Sequence, residues 1–345
     1  MHPLRLAPGL PVVAALLAVG FSPLARSENA GFLPRPVQGY LLVANKGDHT
    51  VGIVDPDAGE QVATIPEDGI TVHELIASRD GKLAFTPIYG NSGVGKKGTD
   101  GQLIRVIDLE KRQTIATIDF GRGVRPHCPI FNPKTGVLYV TTEIENSVSI
   151  IDPHTFQILG SIPTGRPESH MLTVSHDGRR GYTTNVGSGT VSVLDLEAKK
   201  LITVIPVTTV VQRISITPDD QRVFTADQTK LRLVVINTAT NSVGPSIPLP
   251  GLAYGTACTP DGRWLVAALP GTRQVALIDL SILRTVKTLD VPKAPQEVLL
   301  SPDGSMAYVS CDSSGQIAVI NLKEWKLEKL IKAGPVADGL AWANR

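Results

Sequence analysis

TVSVLD, at residues 190–195, has close counterparts along the whole chain, and their spacing decides the fold. The seven related phrases are VGIVD, LIRVID, VSIID, VSVLD, LVVIN, VALID and IAVIN. They end at Asp55, Asp108, Asp152, Asp195, Asn237, Asp279 and Asn321, so successive copies lie 53, 44, 43, 42, 42 and 42 residues apart. A period of this length, built from short strands and turns, is typical of a β-propeller with one blade per repeat. The sequence therefore predicts an all-β, seven-bladed propeller.

Each repeat predicts four antiparallel strands. In blade four these are residues 170–175, 181–185, 190–195 and 201–205, separated by turns such as Asp177-Gly178. The first repeat begins at a second strand, Tyr40–Ala44, and the last ends at a first strand, Val336–Ala343. We therefore expect a 3+1 closure, in which the C-terminal strand completes the first blade and removes an open sheet edge.

The segment of residues 176–207 resembles the repeat of the YVTN-type β-propeller family. Its sequence is HDGRRGYTTNVGSGTVSVLDLEAKKLITVIPV. That repeat has the consensus PDG-x-x-x-YVTN-x-x-x-x-TVSVID, and the likeness extends over about residues 40–343. The resemblance implies the fold and leaves the function open. Its superfamily includes lactonases, polysaccharide lyases, redox-cofactor proteins and noncatalytic binding proteins.

The N-terminal residues predict export. Arg5 precedes the apolar run Leu10–Val19, which is too short to span a bilayer, and Ala25-Arg26-Ser27 offers a cleavage site. We therefore assign residues 1–27 to a signal peptide, 28–39 to an extension and 40–345 to the propeller, with a periplasmic or secreted location. A formal charge of +1 without a basic run does not favour nucleic acid as a partner. We expect a monomer without a membrane span, whose three cysteines are small buried residues.

Two sets of residues are predicted to meet at one mouth of the central channel. In the family that the repeat resembles, the first strand lines the channel from the upper face downward, and the second strand returns to that face. Counting five residues back from the end of each first strand gives His73, His127, His170, Gln212, Tyr254, Gln296 and Asp338. The tips of the second strands are Asn45, Pro87, Thr142, Asn185, Asp227, Ala268 and Cys311.

The three histidines carry the clearest chemical signal. His73, His127 and His170 occupy the same register in consecutive blades, and with the amide oxygen of Gln212 they predict a divalent-metal site. The alternative is that each histidine is a consensus residue, because this strand often begins Pro-His-Gly in YVTN-type repeats. With Tyr254 as an acid and Arg213 as a cation for an anionic oxygen, the same imidazoles also predict proton-transfer chemistry.

The step of 53 residues comes from an insertion in blade two, residues 87–101, which predicts a flap beside His73. The alternative is a tolerated surface insertion. Polar residues of this loop and of the mouth predict binding of a small polar or anionic ligand. The candidates are Tyr89, Asn91, Lys96, Arg125, Glu143, Asn185, Gln296 and Asp338.

Three functions remain open from the sequence. The first is a metal-dependent lyase or hydrolase of a sugar acid or lactone, although carboxylate and amide groups of the kind that bind calcium in propeller lactonases are not evident. The second is a noncatalytic ligand- or protein-binding scaffold, so the chain need not be an enzyme. The third is a redox-cofactor protein. This hypothesis has little support, because the chain has no Cys-x-x-Cys-His motif for attaching haem.

Overall fold

The structure, a computed structural model, describes residues 38–345 together with Met1 and Pro3. The predicted signal peptide, apart from these two residues, and the predicted extension as far as residue 37 lie outside it. The unit Pro36–Arg345 contains every strand that the structure describes. In this part of the chain no helix is long and apolar enough to cross a membrane.

Seven antiparallel sheets follow one another along the chain, and each corresponds to one sequence repeat. The first four blades contain β1 (Gly39–Asn45), β2 (Thr50–Asp55) and β3 (Glu60–Pro66); β4 (Ile76–Ala77), β5 (Leu83–Gly90), β6 (Asp100–Asp108) and β7 (Gln113–Asp119); β8 (Pro126–Phe131), β9 (Leu138–Thr142), β10 (Ser147–Ile151) and β11 (Ile158–Pro163); and β12 (Ser169–Val174), β13 (Arg180–Asn185), β14 (Thr190–Asp195) and β15 (Lys200–Pro206). All the strands of blade four begin and end within one residue of the predicted bounds.

The remaining blades follow the same order from the channel outward. They contain β16 (Val211–Ile216), β17 (Arg222–Asp227), β18 (Arg232–Asn237), β19 (Ser242–Val243) and β20 (Ile247–Pro248); β21 (Thr256–Cys258), β22 (Trp264–Leu269), β23 (Gln274–Asp279) and β24 (Arg284–Asp290); β25 (Pro295–Leu300), β26 (Met306–Cys311), β27 (Gln316–Asn321) and β28 (Lys326–Lys332); and the final strand β29 (Ala337–Asn344). Two single turns of 3-10 helix, Val186–Ser188 and Asp312–Ser314, follow the second strands of blades four and seven.

The final strand closes the ring as predicted. β29 pairs antiparallel with β1, with Tyr40 opposite Ala343 and Leu42 opposite Ala341, and the sheet order is β29-β1-β2-β3. The first blade therefore takes three strands from the start of the propeller and one from its end. The seven-bladed, four-stranded prediction is confirmed.

The core lies between neighbouring sheets. One buried cluster joins Tyr139 of blade three, Tyr182 of blade four and Ile236 of blade five, and similar clusters fill the other interfaces. Because the third strand of a blade is covered on both faces, it is buried almost throughout, as in VSVLD, whereas fourth strands such as β24 and β28 are largely exposed. Cys128 and Cys311 are buried, Cys258 is half-buried, and none of the three forms a disulfide.

The Ser/Thr-x-Asp-Gly motif of the repeats forms a turn after the first strand. In blade four the Ser175 hydroxyl donates to Asp177 Oδ1 at 2.6 Å, and the amide of Gly178 donates to the Ser175 carbonyl at 2.8 Å. Gly178 has φ +74°, a left-handed conformation that glycine adopts without strain. This local turn sets the register of the second strand and so fixes which residues face the channel.

Candidate active site

The seven residues predicted to ring the channel line a single cavity of about 360 Å³. The cavity therefore receives one or more side chains from every blade. Its lining is formed by Lys46, His73, Tyr89, Gly93, Val94, Lys96, His127, His170, Val186, Gln212, Arg213, Tyr254, Gln296, Asp312 and Asp338.

A β-bulge in the first strand gives some blades two consecutive residues in the channel. In blade five the pairing of β16 with β17 shifts between Val211 and Ile214, and both Gln212 and Arg213 line the cavity. Equivalent shifts occur in β8, β12, β25 and β29. A bulge inserts one extra residue and redirects its side chain, which strict alternation along a strand does not anticipate.

The imidazoles of the three histidines lie together on one side of the cavity. The ring centroids of His127 and His170 are 3.8 Å apart with an interplanar angle of 30°, and those of His73 and His127 are 5.5 Å apart. Burial lowers the pKa of His73 to about 3, with a further contribution from Lys46. Burial also lowers the pKa values of His127 and His170, so all three rings are neutral at physiological pH.

Tyr89 extends this cluster toward the blade-two loop. Its ring centroid lies 4.7 Å from that of His73, and its hydroxyl donates a short hydrogen bond to Glu143. Burial raises the pKa of Tyr89, and the neighbouring Glu143 carboxylate raises it further. Glu143 Oε2 lies 3.8 Å from His170 Nδ1, so the carboxylate links the loop to the histidines.

Arg125 holds the blade-two loop closed over the cavity. This buried residue, at φ +50°, places its guanidinium 2.5 Å from Asp100 Oδ1 and 3.2 Å from Glu143 Oε1. It also donates to the carbonyls of Gly93 and Lys96.

The blade-two loop is shorter than predicted. β5 extends to Gly90 and β6 begins at Asp100, so the loop consists of residues 91–99 and not 87–101. Three residues of this loop, Gly93, Val94 and Lys96, line the cavity beside the three histidines, which confirms the predicted face.

Arg213 lines the cavity, and its guanidinium lies among three carboxylates. Its guanidinium nitrogens are 2.5 Å from Glu74 Oε1, 2.7 Å from Glu297 Oε2 and 3.3 Å from Asp338 Oδ1. The guanidinium carbon also lies 4.9 Å from the centre of the Tyr254 ring. The role of Arg213 as a cation for a substrate oxygen stays a prediction, because its guanidinium is already bound in this ion-pair network.

The carboxyl groups around Arg213 differ in the direction of their pKa shifts. Burial raises the pKa of Glu74 to about 8 against the opposing effect of Arg213. Burial alone would also raise the pKa of Asp338, but Lys46 and Arg213 outweigh it and leave that pKa below its ordinary value. Lys46 Nζ lies 3.2 Å from Asp338 Oδ2. One network thus contains two carboxyl groups whose pKa values are shifted in opposite directions.

The tips of the second strands do not face the cavity. Asn185 is fully buried, where its side chain donates to Thr190 and Ser192 and accepts from Ser169. The next residue along the chain faces the mouth instead, because successive side chains alternate between the two sides of a strand. Lys46, Val186 and Asp312 line the cavity at this position, and counting one residue further would have found Lys46 and Asp312.

Two other predicted ligand-binding residues have structural roles. Asn91 lies outside the cavity lining, and its Oδ1 accepts from the amide of Thr99 at 2.8 Å, which closes the base of the loop. Arg125 has the loop contacts described above. Glu297 was missed altogether, because only the bulge in β25 brings a residue at that register toward Arg213.

The described residues contain no group of three His, Cys, Asp or Glu side chains arranged to hold a metal ion. His127 and His170 stack against each other, whereas two imidazoles that share an ion direct their nitrogens at a common point. The Nδ1 atoms of both rings are nevertheless buried, and neither has a hydrogen-bond partner within the described part of the chain. Metal binding by His73, His127, His170 and Gln212 therefore stays a prediction, and it requires the imidazoles of His127 and His170 to rotate.

This architecture defines the chain as a seven-bladed β-propeller with a polar pocket at one mouth of its channel. A family model described as "Lactonase, 7-bladed beta-propeller" matches residues 58–245, more than half of the chain, and the chain belongs to this family. The finer likeness to the YVTN repeat stays a prediction. No curated protein matches the chain in sequence. A solved structure titled "Kuenenia stuttgartiensis Hydrazine Synthase" is similar in fold, with a TM-score of 0.71 and 20% identity over 88% of this chain and 99% of that chain.

Proposed function

We propose that the chain hydrolyses a small polar lactone bound in the central pocket. The observation that carries this proposal is the convergence of neutral imidazoles with the Lys46–Asp338 ion pair in a cavity of about 360 Å³. Such a volume suits a small molecule of a single ring. Membership of the lactonase-type propeller family supports the choice of a lactone as the substrate class.

Hydrolysis of a lactone requires stabilisation of a carbonyl oxygen, activation of water and protonation of the leaving alkoxide. We assign the first task to the Lys46 ammonium, which lines the pocket and is oriented by Asp338. We assign proton transfer to His73, whose imidazole lines the pocket. The water oxygen bonds to the carbonyl carbon as its proton passes to His73. The ring C–O bond then breaks, and the imidazolium returns the proton to the alkoxide, giving a hydroxy acid.

The remaining polar residues have positioning roles in this proposal. Arg213 holds Asp338, which in turn holds Lys46, so the buried ion-pair network fixes the cation at the pocket wall. Tyr254 lines the opposite side, and burial raises its pKa, which keeps its hydroxyl available as a hydrogen-bond donor. Gln296 and Lys96 also line the pocket and supply polar contacts for the substrate.

The test is hydrolysis of five- and six-membered lactones, measured as the release of protons in weakly buffered solution. We expect Lys46→Met and His73→Gln each to lower kcat/KM by about 100-fold or more, the usual effect of losing one electrostatic or proton-transfer group. His154→Gln and Lys200→Met, on exposed positions away from the pocket, are the matched controls. Full activity of both pocket variants would contradict the proposal, and binding without turnover would support a noncatalytic ligand-binding protein.

A divalent metal on the three histidines is the alternative form of this proposal. Activity that disappears with a chelator and returns with added Zn²⁺ or Mn²⁺ would support it. Activity that is unchanged by the chelator would support direct proton transfer by an imidazole.

We also propose that the protein is exported, on the basis of residues 5–27. Expression of the full chain in a Gram-negative host, followed by N-terminal sequencing, should give a mature chain that begins near Ser27. An uncleaved chain in the cytosolic fraction would contradict this location.

A further inference from the structure

A largely apolar groove of about 620 Å³ lies beside the central pocket, between blades five and six. Tyr254 and Gln296 line both the groove and the pocket, so the two spaces are adjacent. The other residues of the groove are Gln228, Leu231, Pro250, Gly251, Leu252, Ala253, Pro270, Gly271 and Thr272.

The chain builds the wall of this groove by interrupting the regular blade. The first strand of blade six, β21, has only three residues, and the segment 249–255 before it is irregular. Leu249 and Ala253 are buried and anchor this segment. The side chain of Gln228 donates to the Ala253 carbonyl at 2.8 Å, and the amide of Gly255 donates to the Gln296 carbonyl at 2.8 Å. The groove is therefore preformed, which reduces the entropy lost when a ligand binds.

Two large apolar side chains of the groove are exposed to solvent, Leu252 from the anchored segment and Leu231 from the residues just before β18. Leu231 is 53% exposed and Leu252 is 36% exposed, and both line the groove together with Pro250 and Pro270. Contiguous exposed apolar surface next to a polar site is typical of a ligand-binding groove. The ionisable residues His73, His127 and His170 of the pocket come from blades two to four, and Lys46 and Asp338 belong to blade one, whereas the groove between blades five and six is lined mainly by apolar residues.

We propose that the groove binds the alkyl chain of a ligand whose polar head occupies the central pocket. This inference rests on the proposed lactone hydrolysis and makes it more specific. The substrate class becomes a lactone that bears an unbranched apolar side chain, in place of a fully hydroxylated sugar lactone. Tyr254 lies where the head meets the chain, since it lines both spaces.

The test is a series of γ-lactones with side chains of increasing length. A fully buried methylene contributes about 0.8 kcal/mol, roughly fourfold, so we expect about a twofold rise in kcat/KM per methylene in a half-open groove. Leu231→Ser and Leu252→Ser should flatten this rise without changing the rate with the shortest lactone. Leu330→Ser, which replaces an equally exposed leucine on β28, should leave the rise unchanged.

The outcomes separate this inference from the proposed function. If the unmodified protein hydrolyses all the lactones at one rate, the proposal that the groove binds an alkyl chain is wrong, but the proposed lactone hydrolysis is supported. If no lactone is hydrolysed, calorimetric binding of the corresponding hydroxy acids is measured instead. Affinity that rises with chain length and is lost in Leu252→Ser would support the groove alone. Affinity that is independent of length, or undetectable, would overturn it. If the unmodified protein self-associates and the serine variants do not, the proposal of a ligand groove is also overturned, because the groove would then be a protein interface.

Discussion

Replacement of Glu67 by glutamine should change the pH dependence of folding. Glu67 follows β3, and its side chain is completely buried, with both carboxylate oxygens lacking a hydrogen-bond partner among the described residues. The closest ionisable atom is His49 Nδ1, at 3.4 Å from Glu67 Oε1. Burial raises the pKa of Glu67 from 4.5 to about 7, and Asp48 and Asp68 add to the effect, although Arg105 opposes it.

The sign and size of the effect follow from this pKa. A carboxyl group whose pKa is higher in the folded state favours folding while it is protonated, so its contribution is complete below pH 4.5 and is lost as the pH rises through 7. The difference between the folded and unfolded pKa values corresponds to at most about 3 kcal/mol at pH 9, at 1.36 kcal/mol per pKa unit. Glutamine keeps the shape of the side chain and cannot ionise. We therefore expect Glu67→Gln to be more stable than the parent protein at pH 9 and nearly equal to it at pH 5.

The assay is urea unfolding at pH 5, 7 and 9, monitored by tryptophan fluorescence. The quantity compared is the free energy of unfolding of Glu67→Gln minus that of the parent protein, which should increase with pH. Glu60→Gln, at an exposed position of the same hairpin, is the control and should show no such increase. A difference that is constant with pH, or that favours the parent protein at pH 9, would refute the reasoning.

Three further predictions concern the ring, the loop and the ion-pair network. Deletion of Ala337–Arg345 removes β29 and exposes the edge of β1, so size-exclusion chromatography should show aggregation; a soluble monomer with unchanged thermal melting would contradict the closure. Arg125→Ala leaves Glu143 buried without this partner, at a cost of about 3–5 kcal/mol, and should speed tryptic cleavage of the 91–99 loop; an unchanged cleavage rate would exclude Arg125 as its anchor. Activity should fall above pH 8 as Glu74 ionises beside Arg213, and Glu74→Gln should remove this fall; an identical pH profile in the variant would contradict this role.

The fold was predictable because its signals are local and repeated. Apolar strands, Asp-Gly turns and a fixed period each reflect interactions within one blade, and seven copies reinforce one another. The closure by β29 followed from the order of strands at the two ends of the repeat array. The bounds of β14, Thr190–Asp195, agree with the prediction at both ends because turns with defined conformations flank the strand.

The site was predictable only in part, because its contacts join residues from distant blades. Counting along the first strands identified the seven ring residues that line the cavity. It did not anticipate that Arg213 would meet Glu74 and Glu297, since a one-residue bulge is not visible in the apolar pattern. Likewise, nothing near Arg125 in sequence indicates that its partners, Asp100 and the carbonyl of Lys96, lie in the insertion of the preceding blade.

The most direct test of the central claim is a crystal structure of the protein with the hydroxy acid formed from its best lactone substrate. The account predicts that the product lies in the central pocket, with an oxygen of its carboxylate within hydrogen-bonding distance of Lys46 Nζ and a second polar contact to His73. A ligand bound outside the cavity ringed by His73, His127, His170, Gln212, Tyr254, Gln296 and Asp338 would contradict it.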